Sequence, residues 1–393
     1  MRICFMTPCL FSMGGVQRVL SCLSNELCER GHEVTIMTID KPEDEDRSLY
    51  ALDPRIDIEF VPLVIEKQYL RRAVRKWIHV SRKVRPVSPV WEWAFLSHRE
   101  CEVWLRKIEQ HRFDCIIAVH GWLSCMLGKI SDKIDAKCLI GWQHSSFEAY
   151  FENRENRSGY WNEGSLFRKY LPHLTHNVVL NLHDKGRYEA DLGIPSNVIH
   201  NPKSFRSSQV SPLERKRFVA VGRLCRAKGF DLLIPAFAQF HQLVPDWSLD
   251  IFGDGESRAA LQQLIDEQHA GNYIKLCGWT DNVQSELLDS SGLLLSSRWE
   301  GMPMTVLEAL ELGVPVVSFG ITAVEPLITD GVEGRVVPPY DIKAFASAAA
   351  ELARDEKRRK EMGRNAKKKS EAFDVSTIAD QWERLFSGVK TAK

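Results

Sequence analysis

Short apolar runs alternate with longer segments of helical periodicity along the whole chain. In the first half, such runs predict strands at residues 3–6, 33–39, 115–119, 137–142 and 177–180. In the second half, they predict strands within FVAVGRL, SLDIFGDG, YIKLCG, GLLLSS and VPVVSFG, and IADQWERLF predicts a C-terminal helix. Strands that alternate with helices are typical of βαβ units around a parallel sheet. The pattern therefore predicts an α/β protein with doubly wound sheets.

A polar, serine-rich stretch interrupts this alternation near the middle of the chain. Residues 197–218, NVIHNPKSFRSSQVSPLERKRF, are the best linker candidate. A chain of 393 residues is also too long for one ordinary core. We therefore predict two domains, residues 1–200 and 201–375, and a C-terminal helix within 376–393 that packs back towards the first domain. Two doubly wound domains facing a cleft would bind ligands beyond the carboxyl ends of their strands.

Composition and charge disfavour several classes of protein. Lysine plus arginine and aspartate plus glutamate both number 52, so the overall charge gives no reason to expect a nucleic-acid partner. The ten cysteines include no C-x-x-C pair and no Cys/His ligand spacing, which favours reduced thiols over disulfides or structural zinc. The N-terminal residues do not resemble a signal peptide, and no apolar stretch approaches the roughly 18 residues that span a bilayer. We expect a cytoplasmic protein without a metal.

Two glutamates, Glu300 and Glu308, bracket an uncharged stretch in SSRWEGMPMTVLEALELGVPVV, residues 296–317. Proline is favoured at the first position of a helix, so we expect a helix from Pro303 with Glu300 just outside it. The N–H groups of Met304 and Thr305 would then lack intrahelical partners and, with the helix dipole, would favour an anion. Glu308, three or four residues further along the helix, would lie on the same helix face as these N–H groups. The alternative is a well-capped helix with an acid near its positive end.

Cationic residues follow the first strand of the second half, in VGRLCRAKGFDLLI. Arg223 and Lys228 lie in the loop that leaves this strand, and Gly229 precedes the next helix. Arginine offers a planar fork of donors to phosphate oxygens, and lysine offers a compact, movable charge. Together they suit a diphosphate. Two solvated loop cations would produce the same pattern.

Two features of the first half also suggest ligand binding. In FSMGGVQRVL, Gly14 and Gly15 open a helix after the first strand, which either lets a ligand approach the backbone or makes a tight turn. In IGWQHSSF, His144 directly follows an apolar strand and either faces the predicted cleft or is structural. The dinucleotide fingerprint G-x-G-x-x-G and the P-loop are absent, which disfavours dehydrogenase and P-loop functions.

The order of these motifs resembles that of the retaining glycosyltransferases of family 4. That family has the GT-B architecture, in which two Rossmann-like domains face a cleft. The resemblance extends over nearly the whole length and rests on FSMGGVQRVL, VGRLCRAKGFDLLIPAF, LDIFGDGESRAAL, IKLCGWTDNV, LLLSSRWEGMPMTVLEALELGVPVVSF and DGVEGRVVPPYD. Glu300 and Glu308 form the family's E-x-x-x-x-x-x-x-E signature. The resemblance implies a GT-B glycosyltransferase of the kind that builds bacterial polysaccharide or lipopolysaccharide.

The resemblance also implies catalytic roles for four residues. Glu300 would face the donor sugar, and His144 would lie near the reacting carbon. Arg223 and Lys228 would neutralise the leaving diphosphate. Gln17 stands where the family usually has a glutamate, so the resemblance implies no role for it.

The donor-binding residues implied by the resemblance come from both domains. The turn at residues 301–305 would hold the diphosphate, Glu308 would accept hydrogen bonds from the ribose, and Gly15 would approach the diphosphate from the first domain. Gly278 and Trp279 would receive the nucleobase. The full set is Gly15, Gly278, Trp279, Gly301, Met302, Pro303, Met304, Thr305 and Glu308.

The resemblance further implies a retaining, metal-independent transferase without a cofactor. It would move a hexose or N-acetylhexosamine from a nucleotide diphosphate sugar to a glycan bound by the first domain. In front-face transfer, the leaving phosphate oxygen helps to deprotonate the acceptor hydroxyl. The likeness of EGMPMTVLEAL to bacterial galactosyl- and N-acetylhexosaminyltransferases favours UDP over GDP. The alternatives are a nucleotide-sugar epimerase of related architecture and a non-catalytic nucleotide-sugar-binding subunit.

A basic segment in the first domain suggests the acceptor. Residues 67–85, KQYLRRAVRKWIHVSRKVR, contain eight lysines and arginines and no acid, interleaved with apolar and aromatic residues. Such a segment suits the surface of an anionic membrane. RNA binding and a solvated helix are the alternatives. We expect a lipid-linked glycan or lipopolysaccharide acceptor and peripheral association with the cytoplasmic face of the membrane.

Overall fold

The chain forms two compact units, each built on a parallel sheet. The computed structural model describes residues 1–62, 68–81, 88–152 and 164–388. One unit consists of Met1–His200 with the described part of Ile378–Lys393, and the other consists of Asn201–Thr377. All strand pairings in the described residues are parallel. The α/β prediction with doubly wound sheets is confirmed.

The N-terminal unit has a sheet of order β3-β2-β1-β4-β5-β6-β7. Its strands are β1 (Arg2–Thr7), β2 (Glu33–Thr38), β3 (Asp57–Phe60), β4 (Cys115–Val119), β5 (Cys138–Trp142), β6 (His176–Val179) and β7 (Asn197–Val198). Its helices within the described ranges are α1 (Gly15–Glu29), α2 (Gln68–Ser81), α3 (Pro89–Phe95), α4 (His98–Glu109), α5 (Gly121–Ile130), α6 (Phe147–Phe151), α7 (Gly164–Tyr170) and α8 (Leu182–Leu192). Every residue of β4 and β5 is buried, as expected for strands covered on both faces.

The C-terminal unit has a sheet of order β10-β9-β8-β11-β12-β13. Its strands are β8 (Arg217–Val221), β9 (Ser248–Phe252), β10 (Ile274–Gly278), β11 (Gly292–Leu295), β12 (Val316–Phe319) and β13 (Gly334–Val337). The helices that follow in the chain are α9 (Phe230–Leu243), α10 (Arg258–Glu267), α11 (Val283–Leu288), α12 (Met304–Glu311), α13 (Ile342–Arg354), α14 (Glu356–Ser370) and α15 (Val375–Phe386). The strand order reverses between β8 and β11, which places the topological switch point beside β8.

Capping side chains determine where several helices begin. Ser97, Asn181 and Asp341 precede α4, α8 and α13, and each side chain accepts a hydrogen bond from a backbone N–H in the first turn. Such caps satisfy donors that the helix itself cannot pair. The predicted strands are confirmed to within one or two residues. The short strands β3, β7 and β13 were not predicted, because they are only partly buried and polar or small residues interrupt their apolar runs.

The end of the chain belongs to the N-terminal unit. From Ile378 onward, α15 is part of that unit, where Trp382 packs edge-on against Trp142 with ring centroids 4.8 Å apart. Arg30 donates to Asp380 and to Glu383 over 2.6 Å each. The last helix is therefore held in the N-terminal unit by both apolar and charged contacts.

The boundary between the two units falls inside the predicted linker of residues 197–218, between His200 and Asn201. Asn197 and Val198 form β7, and the residues from Asn201 belong to the C-terminal unit. Lys203 is buried, and its N–H donates to the carbonyl of Phe373 over 2.9 Å. Part of the stretch is polar because its side chains form hydrogen bonds inside the unit, as Lys203 and Ser211 do, whereas others such as Arg206 and Arg215 face solvent.

Within the described ranges, every helix is too short or too polar to cross a lipid bilayer.

Candidate active site

Backbone hydrogen bonds join the loops that follow β8, β9 and β10. The N–H of Gly222 donates to the carbonyl of Phe252 over 2.9 Å, and that of Gly253 donates to the carbonyl of Gly278 over 2.7 Å. Leu224 N–H donates to the carbonyl of Asp254 over 2.9 Å. The carboxyl ends of three neighbouring strands thus form one connected surface, where a doubly wound sheet binds its ligands.

Lys228 and Glu300 meet on this surface. The Lys228 ammonium donates to Glu300 Oε1 over 2.6 Å, and the Ser297 hydroxyl donates to the same oxygen over 2.6 Å. Gly229 follows Lys228 with φ +64, and a Cβ there would lie 2.1 Å from the carbonyl oxygen of Ser296. Only glycine fits this turn, which brings the β8 and β11 loops together. Two residues separated by 72 positions in the sequence are thereby in direct contact, as the resemblance implied for one site.

Arg223 lies in the same loop as Lys228 but is exposed. In the described part of the chain, its guanidinium forms no ion pair with an acid. Its charge is therefore not neutralised by those residues, and an incoming anion would meet it directly.

The helix predicted from Pro303 begins one residue later, at Met304. Pro303 is the N-cap residue, and its carbonyl accepts from the N–H of Val306 over 3.1 Å. Among the described residues, the N–H groups of Met304 and Thr305 have no acceptor. Two amides at the positive end of α12 are thus open to an anion. Gly301 and Met302 complete the turn, and Met302 is buried.

Glu308 lies one turn into α12 and is 1% exposed. Ser204 donates its hydroxyl hydrogen to Glu308 Oε1 over 2.8 Å. Gly278, at the end of β10, has φ +82, and the following Trp279 is 56% exposed. The positive φ explains the glycine, and an exposed tryptophan beside it offers an apolar surface to a ligand ring.

Gly15 and His144, the two candidates from the first half, belong to the N-terminal unit. Gly15 is exposed and is the first residue of α1, and the N–H of Gly14 donates to the Tyr50 hydroxyl over 2.8 Å. His144 follows β5, is 9% exposed, and packs against Trp142 with ring centroids 4.2 Å apart. Neither of its ring nitrogens has a hydrogen-bond partner in the described residues. Burial, and then the neighbouring His120, lowers the pKa of His144 to about 3, so the ring is neutral.

His120 is a functional candidate that the sequence reasoning missed. It follows β4 as His144 follows β5, and these two strands are hydrogen-bonded neighbours. Its Nδ1 accepts from the N–H of Trp122 over 3.3 Å, and burial lowers its pKa to about 4. The signal that would have found it is a histidine directly after an apolar strand, the same signal that selected His144.

A metal would need a cluster of ligands. In the described ranges, no group of three or more His, Cys, Asp or Glu side chains could hold a metal ion.

The close approach at Gly253 generates a stability prediction. Gly253 has φ +138, and a Cβ would lie 1.9 Å from the carbonyl oxygen of Gly222. We expect Gly253→Ala to lower the free energy of unfolding by at least about 2 kcal/mol, because both the backbone conformation and the contact become strained. Chemical denaturation of the full chain measures this. Gly271→Ala, where a Cβ would have no atom within 4 Å, is the matched control and should change stability by less than about 0.5 kcal/mol. Equal effects would contradict the packing described here.

The neutral His144 generates a pH prediction. In the unfolded chain its pKa returns to about 6.5, whereas in the folded chain it is about 3. The unfolded state therefore binds more protons between these values, and the contribution to stability present above pH 6.5 is lost as the pH falls. We expect His144→Gln to reduce the slope of unfolding free energy against pH by up to about 1.4 kcal/mol per unit between roughly pH 6 and pH 4. The exposed His173 provides the control, His173→Gln. Identical slopes in both variants would contradict the prediction.

Comparison with known proteins follows the same division of the chain. The Glycosyltransferase Family 4 model matches residues 13–202, and the Glycosyl transferases group 1 model matches residues 202–369. An exopolysaccharide phosphotransferase of Streptomyces coelicolor is 28% identical over 408 residues, which span 98% of this chain but only 41% of that relative.

A second relative and one solved structure match over their full lengths. An N-acetyl-D-galactosaminyltransferase of Campylobacter jejuni is 28% identical over 400 residues, which span 100% of both chains; its name gives a glycan on diphosphoundecaprenol as its substrate. The structure of HepE from Anabaena in complex with UDP has a TM-score of 0.76 at 16% identity and covers 99% of this chain and 100% of its own. Together the two family models cover residues 13–369, and the chain belongs to the family 4 glycosyltransferases, which have the GT-B fold.

Proposed function

We propose that this glycosyltransferase moves a hexose or N-acetylhexosamine from a UDP-linked sugar to a lipid-linked glycan or lipopolysaccharide, with retention at the anomeric carbon and without a metal. The observation that carries the proposal is the direct contact of Lys228 with Glu300 over 2.6 Å. This contact joins a cationic loop to the turn before α12, where two backbone N–H groups are open to an anion. A diphosphate and its sugar would find complementary charge and donors there.

Departure of the diphosphate is the chemical step that these residues would assist. As the bond from the anomeric carbon breaks, negative charge grows on the phosphate oxygens and the sugar becomes oxocarbenium-like. The Lys228 ammonium has three donors, so it can keep Glu300 and still bind a phosphate oxygen. Arg223 and the amides of Met304 and Thr305 would supply further donors. Glu300 would face the positively charged sugar.

The nucleoside would extend along the same surface. Glu308 would accept hydrogen bonds from the ribose, and Trp279 would cover the nucleobase beside Gly278. We extend the proposal to Gly15, for the diphosphate, and to His144, for the sugar, as the family resemblance implies. In a neutral His144, one ring nitrogen can donate a hydrogen bond and the other can accept one.

The relatives support the finer choices of donor and acceptor. HepE was solved with UDP, and the Campylobacter relative is named for transfer to a glycan linked to diphosphoundecaprenol. These names support UDP and a lipid-linked acceptor, and a role in polysaccharide biosynthesis. The family match does not favour the epimerase alternative.

The exposed side of α2, which carries Tyr69, Trp77 and cations, supports a membrane location for the acceptor. Arg71 on this helix is buried and donates to both carboxylate oxygens of Glu100 over 2.6 and 2.8 Å, so its charge is engaged inside the unit and is not offered to a membrane. On the opposite side, Tyr69 is 89% and Trp77 is 53% exposed. Leu70, Arg72, Lys76 and Val80 are also exposed. Residues 67 and 82–85 of the segment lie outside the described residues.

An aromatic and apolar surface flanked by cations suits an anionic bilayer better than RNA, since Leu70 and Val80 offer nothing to a nucleic acid backbone. We therefore propose peripheral binding to the cytoplasmic face of the membrane through α2.

The identity of the sugar donor can be tested with a set of nucleotide sugars, and the residues that bind it can be tested with two variants. We expect UDP-sugars to raise the melting temperature of the protein and GDP-mannose to leave it unchanged, because binding to the folded state stabilises it. Glu308→Ala should weaken UDP binding, whereas Lys228→Ala should lower kcat by about 10²-fold to 10³-fold, because it removes a donor to the developing charge. Lys275→Ala and Glu267→Ala remove exposed residues and serve as matched controls.

Transfer itself is assayed with radiolabelled UDP-sugar and an undecaprenyl-diphosphate glycan. Epimer formation without acceptor would replace the transferase proposal with the epimerase, and protection by GDP-sugars alone would overturn the UDP assignment. Wild-type kinetics in both site variants would remove Glu308 and Lys228 from the site.

Membrane contact can be tested by vesicle flotation. We expect recovery with phosphatidylglycerol vesicles and little recovery with phosphatidylcholine, because each cation near an anionic surface contributes about 1 kcal/mol. Trp77→Ala should reduce the recovered fraction. Trp279→Ala, which removes an exposed tryptophan of the other unit, should not. Equal recovery with both lipids would contradict the electrostatic part of the proposal.

A further inference from the structure

Two buried acids lie on one face of α12. Glu308 and Glu311 are three residues apart, and each is 1% exposed. A carboxylate removed from water is costly unless hydrogen-bond donors replace the lost water. The groups that supply those donors therefore determine how each carboxylate is oriented.

Glu311 is fully engaged by the protein. Its Oε2 accepts from the Lys203 ammonium and from the Ser370 hydroxyl, the latter over 2.9 Å. Its Oε1 accepts from the N–H of Ser207 over 2.6 Å and from the Lys367 ammonium over 2.7 Å. Burial alone would raise the pKa of Glu311, but these donors lower it to about 2. Glu311 is thus an ionised structural acid whose two oxygens each have two donors.

The same contacts fix the backbone on either side of Ser204. Lys203 is held by Glu311 and by Asp374, whose Oδ1 lies 2.7 Å from the Lys203 ammonium. The N–H of Lys203 donates to the carbonyl of Phe373 over 2.9 Å. Ser207 is held by its own bond to Glu311. Ser204 lies between these two anchors, and its hydroxyl donates to Glu308 Oε1 over 2.8 Å.

We propose that Ser204 is a positioning residue, whose hydroxyl orients the Glu308 carboxylate to receive the ribose hydroxyls of the donor nucleotide. The inference rests on the proposed function, because it assumes that Glu308 binds ribose. Glu311 acts one step further back, since it holds the segment that presents Ser204. Neighbouring acids on one helix face thus have different tasks: Glu311 anchors the backbone, and Glu308 meets the ligand.

The test measures ribose recognition rather than activity alone. UDP and 2′,3′-dideoxy-UDP differ only in the two hydroxyls that Glu308 would bind. Calorimetric titration of the full chain should show that wild type prefers UDP by about ten-fold or more, as expected for hydrogen bonds to a charged acceptor. In Ser204→Ala, we expect UDP binding to weaken by about ten-fold and the preference over 2′,3′-dideoxy-UDP to fall below about three-fold. Ser204→Thr keeps a hydroxyl and should restore the preference.

The matched control is Ser370→Ala, which removes a donor to Glu311 and leaves the bond from the Ser204 hydroxyl to Glu308 in place. We expect it to lower the melting temperature but to keep the wild-type preference for UDP, which separates loss of stability from loss of orientation. A wild-type preference in Ser204→Ala would overturn the role of Ser204. If wild type bound both nucleotides equally, the ribose contact of Glu308 would be wrong. If wild type did not bind UDP, the proposed donor would be wrong and the inference would fall with it.

Discussion

A carboxylate without water must be met by hydrogen-bond donors, and the C-terminal unit is organised around this requirement. Glu311 holds the chain after β7 and the end of α14 against α12, the helix that also carries Glu308. Because these donors lower the pKa of Glu311 to about 2, their contribution to stability is present above its unfolded value of about 4.3 and declines as the pH falls below it. The stability of the unit and the position of Glu308 therefore have a common origin.

The Lys228 ammonium of the candidate site is held in position by loops that backbone hydrogen bonds and a glycine turn constrain. The glycine turn after Lys228 and the backbone bonds among the β8, β9 and β10 loops hold the ammonium beside Glu300 before any ligand arrives. Donors that are already oriented cost little to reorganise when charge develops, and this is the main way in which an enzyme stabilises a leaving group. The helix N-terminus at Met304 adds donors of the same kind, fixed by backbone geometry. The site thus relies on position more than on the number of its charges.

Hydrophobic periodicity was sufficient to predict the fold class and most strands, because a fully buried strand appears in the sequence as a continuous apolar run. The family resemblance brought Lys228, Glu300 and Glu308 into one hypothesis, which the residue pattern alone had left open. Hydrogen bonding inside the protein could not be predicted in the same way: residues 201–207 looked like a linker, and Arg71 looked like a lipid-facing cation, because polarity does not distinguish a solvated group from one with a buried partner. The start of α12 differed by one residue, since proline is accepted on either side of a helix boundary.

The loops that follow β8 and β9 are joined through main-chain atoms, as the bonds from Leu224 N–H to Asp254 and from Ser257 N–H to Leu224 show. Side chains on these loops contribute nothing to those particular bonds. Exposed residues on these loops, such as Arg223 and Glu256, can therefore be exchanged by mutation while the shape of the loops persists, whereas Leu224 is buried in the core. Relatives of this chain could therefore diverge in the sugar they accept without having to evolve a new scaffold.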